Sequence, residues 1–314
     1  MQAIMVTEPG GPETLRVVEL PIPEPGPGEV LVRVLAAGVG PWDAHVRSGN
    51  VVIEPPFIPG AEFAGLVVGD TGAHAAFQDG EPVYGYPGLT GCYAQYVTCP
   101  AEQMASIPVG LDPVDAAAVP VDALTAFQGL KEVLSLGSAD PPASVLITAA
   151  AGGLGHFAVQ IARALGAVVI ATASERHHEF VHKLGAAFVI DHGQPDWPEQ
   201  VRALIKGGAE RVLACAAPTL PGAARAARDG AVIATPVRAD YPDADRIRWV
   251  GYNGARRGSD LIAMAPWFDD GSVLVHVSRR FFWTDAAEAH REIEQGHTSG
   301  KLLLVVDEDT ARGV

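Results

Sequence analysis

An α/β architecture, with a doubly wound six-stranded parallel sheet and a separate irregular β-barrel, follows from three features of this 314-residue chain. Residues 144–171 run as apolar strand, small-residue turn, amphipathic helix and second strand. Four more short apolar runs, at 188–190, 212–214, 231–234 and 247–250, alternate with helix-forming stretches and bring the strand count to six. The chain before residue 119 has a different texture, rich in Pro and Gly, with short strands and no long helices between them. The length suits about two domains, each with its own core.

Taken in order, residues 2–6, 14–19, 30–36, 63–68, 82–84 and 92–98 read as strands of the barrel. The Pro-rich segment 21–28 is a turn between two of them, because alternation resumes at Val30, Val32 and Val34. In the 144–171 unit, Val145 to Ile147 is the kind of β-branched and Leu run that a parallel sheet buries on both faces. Gly152 and Gly155 stand at the second and third glycines of G-x-G-x-x-G, with Ala150 at the first. Ala151, Gly152, Gly153, Leu154 and Gly155 would therefore present backbone amides and a helix N-terminus to a pyrophosphate. Phe157, Ile161 and Leu165 recur on one helix face, with His156, Gln160 and Arg163 on the other, and Gly166 ends the helix before the strand at 168–171. Gly152, Gly153 and Arg163 interrupt this nearly uncharged stretch too often for a membrane span. In the tail, 274–277 reads as a strand, 285–295 as a helix and 301–306 as a strand. Residues 1–118 and 267–314 are expected to form one domain, with the dinucleotide-binding domain, 119–266, inserted between them.

Composition narrows the function. Twenty-two Lys and Arg against 37 Asp and Glu give a net charge of −15, which disfavours nucleic acid and anionic membrane as partners. No basic segment followed by an apolar one opens the chain, so a secretion signal is not expected. Cys92, Cys99 and Cys215 are odd in number, widely spaced and without C-x-x-C, which fits a reducing cytoplasm and buried thiols.

Several motifs stand in a telling order: Gly10 to Leu15, Pro25 to Val34, Ala37-Gly38-Val39, Ile58 to Glu62, Ala118-Val119-Pro120, Leu124 to Phe127, Ala149 to Gly155 and Gly300-Lys301. Their order and spacing resemble the medium-chain dehydrogenase/reductase superfamily, specifically its zinc-independent quinone oxidoreductase and enoyl reductase branch. The resemblance implies a GroES-like catalytic domain beside a Rossmann domain, a nicotinamide cofactor and a homodimer. Zinc-dependent relatives place ligands where this chain has Gly40, Ala61 and, approximately, Val121. None of those side chains can donate a lone pair, Glu62 cannot hold zinc alone, and Asp122 stands one place off. No zinc is expected. Without a Lewis acid, the suitable acceptor is a quinone or an enone, whose conjugation spreads the incoming electron pair.

By the same resemblance, Thr172 takes the place of the acidic residue that would bind the ribose of NADH, while Ser174, Arg176, His177 and His192 follow as candidate partners of a 2′-phosphate. NADPH is favoured over NADH, with Glu175 left as the alternative ribose ligand. Thr125 is expected at the nicotinamide, Ala216 and Pro236 along its pocket, and Lys301 beside the cofactor. Gly40, Trp42, Tyr86 and Trp267 are candidates to line the substrate pocket. Gly40 replaces an Asn of quinone reductases, and a proton-donating Tyr of some enoyl reductases is missing near Val51 and Val52. His45 aligns with a relay histidine and is the candidate for proton transfer, whereas Asp43 is read as fixing its loop. The reading from a different class is a silent NADP(H)-binding protein, crystallin-like or a nucleotide sensor.

Overall fold

The structure, a computed structural model, describes residues 1–69, 77–137 and 143–306. Each expected domain segment therefore has a stretch outside the described residues: 70–76 in the first, 138–142 in the second and 307–314 in the tail. The chain divides into two compact units, one of Met1–Val121, Arg256–Gly271 and Val275–Val314, the other of Asp122–Ala255 and Ser272–Leu274.

The first unit opens with β1 (Gln2–Val6), β2 (Leu15–Glu19), β3 (Glu29–Val39), helix α1 (Pro41–Ser48), β4 (Phe63–Val67), β5 (Pro82–Gly85), β6 (Tyr96–Pro100) and β7 (Met104–Ser106). Strand β3 organises it. One edge pairs with β4, and the other is shared, with Glu29 to Arg33 opposite β6 and Ala36 to Val39 opposite a strand from the tail. A register shift between Val34 and Ala36 accompanies this change of neighbour, as a bulge bends a strand and re-aims its side chains. Val32, Val34, Phe63, Val83 and Met104 fill the core beneath it. The run expected at 92–98 forms a strand only from Tyr96, because Gly91 and Cys92 bond to the 58–60 turn and Ala94 makes an isolated bridge to Ala3.

The second unit follows α2 (Pro120–Gln128) with β8 (Ser144–Thr148), α3 (Gly153–Ala164), β9 (Val168–Ala173), α4 (His178–Lys183), β10 (Phe188–Asp191), α5 (Trp197–Leu204), β11 (Ala209–Ala214), α6 (Leu220–Ala226), β12 (Ala227–Thr235) and β13 (Arg248–Gly251). All pairings are parallel, in the order β10-β9-β8-β11-β12-β13, the doubly wound arrangement expected. Val145, Leu146 and Ile147 are buried on both faces of the sheet, and each stabilises the fold by roughly 1.5–3 kcal/mol.

One sequence reading fails on α3. His156 and Gln160, assigned to a polar outer face, are both buried. Gln160 exchanges two hydrogen bonds with the backbone of Leu274, its Nε2 donating to the carbonyl at 2.9 Å and its Oε1 accepting from the amide at 2.8 Å. Residues 272–274 therefore lie along this helix, and the strand expected from 274 begins at Val277 instead.

The remaining elements, α7 (Gly258–Asp269), β14 (Val277–Phe282), α8 (Ala286–Glu294) and β15 (Lys301–Val305), belong to the first unit. Strand β15 pairs antiparallel with β3 and parallel with β14. Residues 256–266, placed with the parallel sheet in the sequence reading, pack in the first unit, where a Cβ on Gly258 would lie 2.3 Å from the Met104 carbonyl oxygen.

Candidate functional site

In a doubly wound sheet the order of strands reverses beside the first one laid down, and the carboxyl ends there open onto a ligand crevice. Here that point lies between β8 and β11. The turn from Ala149 to Gly152 leaves β8 through a left-handed residue, Ala149 at φ 52°, and enters α3 with Gly152 extended. The turn is pinned from within, by the Gly152 amide to the Ala149 carbonyl at 3.1 Å and the Ala150 amide to the Thr172 carbonyl at 2.9 Å. The left-handed position is Ala149, one residue before the first glycine position of the motif.

The two glycines do different work. A Cβ on Gly155 would lie 2.2 Å from the Ala149 carbonyl oxygen and 2.6 Å from the Ala150 Cα, so this glycine lets the helix press against its own turn. At Gly152 a Cβ would meet only that same oxygen, at 3.5 Å, so the mouth of the turn is open. The amides of Gly153, Leu154 and Gly155 begin α3 without intrahelical acceptors, and no acidic residue sits in the first turn. These features fit a pyrophosphate.

Three threonines lock the adjoining strand ends, and the sequence reading did not single them out. Thr148 Oγ1 lies 2.7 Å from Thr219 Oγ1 and accepts from the Cys215 amide at 3.2 Å. Thr219 donates to the Ala216 carbonyl at 2.7 Å, and Thr235 donates to the Ala214 carbonyl at 2.8 Å while accepting from the Val237 amide at 3.1 Å. Ala216 and Pro236 are thereby held at the carboxyl ends of β11 and β12. Thr125 is buried on α2, where its carbonyl accepts from Tyr252 Oη at 2.8 Å and a Cβ on Gly254 would lie 2.5 Å from its Oγ1.

Ser174, Arg176 and His177 follow β9, and His192 follows β10. Ser174 Oγ lies 3.1 Å from His177 Nδ1, and the His192 amide reaches the Ala173 carbonyl at 3.3 Å. Arg176 and His192 are exposed, while Thr172 is fully buried and offers no carboxylate to a ribose. Asp191, at the end of β10, is held below the ordinary carboxylate range chiefly by the Gly193 amide.

The first unit contains a different constellation. Helix α1 starts with Pro41 after an extended Gly40, and Asp43 Oδ2 accepts from the Gly40 amide at 2.8 Å. Gly49, left-handed at φ 83°, closes the helix. This places Asp43 on the buried face, with Glu62 and Lys301 among the charges acting on it. Lys301 Nζ donates to Glu62 Oε1 at 2.7 Å, and the Val121 amide donates to Glu62 Oε2 at 2.7 Å. Gly38 is required beside this pair, because a Cβ there would fall 2.2 Å from Glu62 Oε1. Burial pushes the Asp43 carboxyl up to about 7; the Gly40 amide opposes this, Glu62 adds to it and Lys301 opposes it.

The other sequence candidates are dispersed within this unit. His45 sits on the exposed side of α1, its Nδ1 3.4 Å from Asn50 Nδ2, away from the buried face that carries Asp43. Trp42 donates to the Leu89 carbonyl at 3.0 Å and packs against Val6, Val46 and Phe57. Tyr86 lies under the Arg256 guanidinium, 5.6 Å from ring centre, and Trp267 is half-buried on α7. Lys301, expected beside a cofactor, is occupied by Glu62. Among the described residues no three His, Cys, Asp or Glu side chains come together as a metal-holding group, and no helix is long and apolar enough to cross a membrane.

Comparison with known proteins agrees with this geometry. Residues 26–109 match the family model of the alcohol dehydrogenase GroES-like domain, and residues 153–235 match that of the zinc-binding dehydrogenase. A quinone oxidoreductase of Pongo abelii is 32% identical over 209 residues, 65% of this chain; the matched stretch spans 63% of that relative's length. Among solved structures, an NAD-dependent alcohol dehydrogenase is 31% identical with a TM-score of 0.88, covering 98% of this chain and 100% of its own. A mycobacterial protein complexed with NADPH is 29% identical with a TM-score of 0.85 over 98% of this chain and 100% of its own. The chain belongs to the medium-chain dehydrogenase/reductase superfamily.

Proposed function

We propose that this protein is a zinc-independent, NADPH-dependent oxidoreductase that reduces a quinone or an α,β-unsaturated carbonyl compound, working as a cytoplasmic homodimer. The observation that carries the reading is the turn from Ala149 to Gly155, open at Gly152 and tight at Gly155, at the switch point of the sheet. When bound there, a dihydronicotinamide supplies hydride to an electrophilic carbon or quinone oxygen. The amides of Gly153 to Gly155 bind its pyrophosphate, Thr148, Thr219 and Thr235 hold the strand ends around it, and Ser174, Arg176, His177 and His192 receive the 2′-phosphate.

Zinc independence rests on side-chain chemistry. Gly40, Ala61 and Val121 offer no ligand atoms, and the Glu62 carboxylate is already engaged by Lys301 and the Val121 amide. The quinone oxidoreductases among the relatives, and the NADPH in a mycobacterial neighbour, support the acceptor class and the coenzyme. The homodimer rests on the resemblance alone.

The test is optical. NADPH oxidation is followed with phenanthrenequinone, benzoquinone and a set of enones, with NADH in parallel and after treatment with a chelator. Turnover that prefers NADPH and survives chelation is expected. Tight NADPH binding with no turnover on any acceptor would instead establish a silent binding protein. Replacing Arg176 and His192 together by Ala is expected to weaken NADPH at least tenfold while leaving NADH unchanged.

A further inference from the structure

By resemblance Thr125 is expected at the nicotinamide, and one loop of the second unit closes on α2 around it. The loop leaves β13 at Tyr252, whose amide donates to the Thr235 carbonyl at 3.1 Å, at the carboxyl end of β12. Its phenol reaches α2 and donates to the Thr125 carbonyl at 2.8 Å. Gly254 then lies against the Thr125 side chain, where a Cβ would fall 2.5 Å from Oγ1. Ala255 exchanges two hydrogen bonds with the buried Gln128 carboxamide, its amide donating to Oε1 at 2.7 Å and its carbonyl accepting from Nε2 at 2.9 Å.

The helix is shaped to admit this loop. At Gly129 it passes into a turn of π-helix, Gly129–Val133, closed by the Leu134 amide on the Gly129 carbonyl at 3.0 Å, and such turns recur at functional sites. A Cβ on Gly129 would collide with the Tyr252 hydroxyl and lie 3.2 Å from Leu213 Cδ1 on β11, so only glycine leaves the phenol its seat. Burial, with Cys215 as the smaller cause, raises the Tyr252 phenol well above its ordinary range and keeps it a donor. The Thr235 hydroxyl extends the series to the Ala214 carbonyl. Thr125 is thereby tied to the carboxyl ends of β11, β12 and β13, where doubly wound sheets bind their ligands, and every group belongs to the second unit.

We propose that Tyr252 and Gln128 are positioning residues of the reductase, seating the 252–255 loop on α2 so that Thr125 meets the nicotinamide in one orientation. This rests on the reductase function proposed above. Both act through Thr125, and rate gained by orientation is lost steeply when a group near the reacting carbon is displaced. The adenosine end of the coenzyme is outside their reach. Ser174, Arg176 and His177 follow β9, and two strands, β8 and β11, stand between β9 and β12 in the sheet. Loss of either residue should therefore damage the nicotinamide end alone.

The test uses the full chain with Tyr252→Phe, Gln128→Leu, Thr125→Val and the double variant Y252F/T125V. Adenosine 2′,5′-bisphosphate, which carries the 2′-phosphate and no nicotinamide, should bind each of them as it binds the wild type in calorimetry. With NADPH and phenanthrenequinone, kcat should fall at least about tenfold in Y252F, Q128L and T125V. Because Tyr252 acts through Thr125, the double variant should be no slower than T125V. Additive losses in the double variant, or undiminished kcat in T125V or in both Y252F and Q128L, overturn the proposal while leaving the reductase function standing. An equal loss of bisphosphate affinity does the same, since it marks a merely structural role. Y252F deletes one oxygen and Q128L is an independent lesion, so if one fails to fold the other decides. A wild type that binds NADPH but reduces no acceptor overturns both.

Discussion

Replacing Asp43 by Asn should stabilise the protein above neutral pH. The folded protein holds the Asp43 proton up to about pH 7, whereas a free aspartate side chain releases it near 3.8. Between those values the folded state binds a proton that the unfolded state has released, so stability falls as pH rises through the window. The penalty is absent below the lower value and complete above the upper one. A gap of this size corresponds to up to about 4 kcal/mol, since each pKa unit is about 1.4 kcal/mol. Asparagine keeps an oxygen for the Gly40 amide and carries no charge, so D43N escapes the penalty. Urea unfolding of both proteins, followed by circular dichroism from about pH 5 to about pH 8, should show D43N gaining about 2–3 kcal/mol on the wild type across that range. Parallel stability curves would refute the reasoning, because they would mean that Asp43 titrates alike in both states.

Three further outcomes follow from the geometry. Lys301→Met strands Glu62 in the interior and should cost about 3–5 kcal/mol, largely recovered in a Glu62→Gln/Lys301→Met double variant, with NADPH affinity unchanged in the double variant; a fluorescence titration showing lost affinity there would restore Lys301 to the coenzyme. Gly155→Ala drives a methyl into the backbone of Ala149 and Ala150, so urea unfolding should register a loss of about 1–3 kcal/mol and calorimetry a dinucleotide affinity at least tenfold weaker. Ala149→Gly relieves a left-handed alanine, a gain of about 1–2 kcal/mol, against about 0.4–1 kcal/mol of added unfolded-chain entropy. A small net rise in the urea midpoint should result.

The parallel sheet was legible because its signals are local. A run such as Val145 to Ile147, a glycine turn and a helix with Phe157 and Ile161 on one face need no distant partner to be recognised. Helix α1 had equally local signals, Pro41 at its first turn and Gly49 at its end, yet its eight residues were read only as motif positions. That omission hid the fact that Asp43 and His45 project from opposite sides. The polar face assigned to α3 failed for another reason: Gln160 is satisfied by Leu274, 114 residues away, and periodicity carries no information about a partner so remote.

Residue identity alone established that the side chains of Gly40, Ala61 and Val121 cannot ligate a metal and that a glycine-containing turn opening a helix follows β8, because ligand atoms and backbone freedom are properties of the residues themselves. The protonation of Asp43, the engagement of Lys301 by Glu62 and the burial of Gln160 arise from groups far apart in the chain. Desolvation and Coulomb energy depend on distance in space, and folding sets those distances.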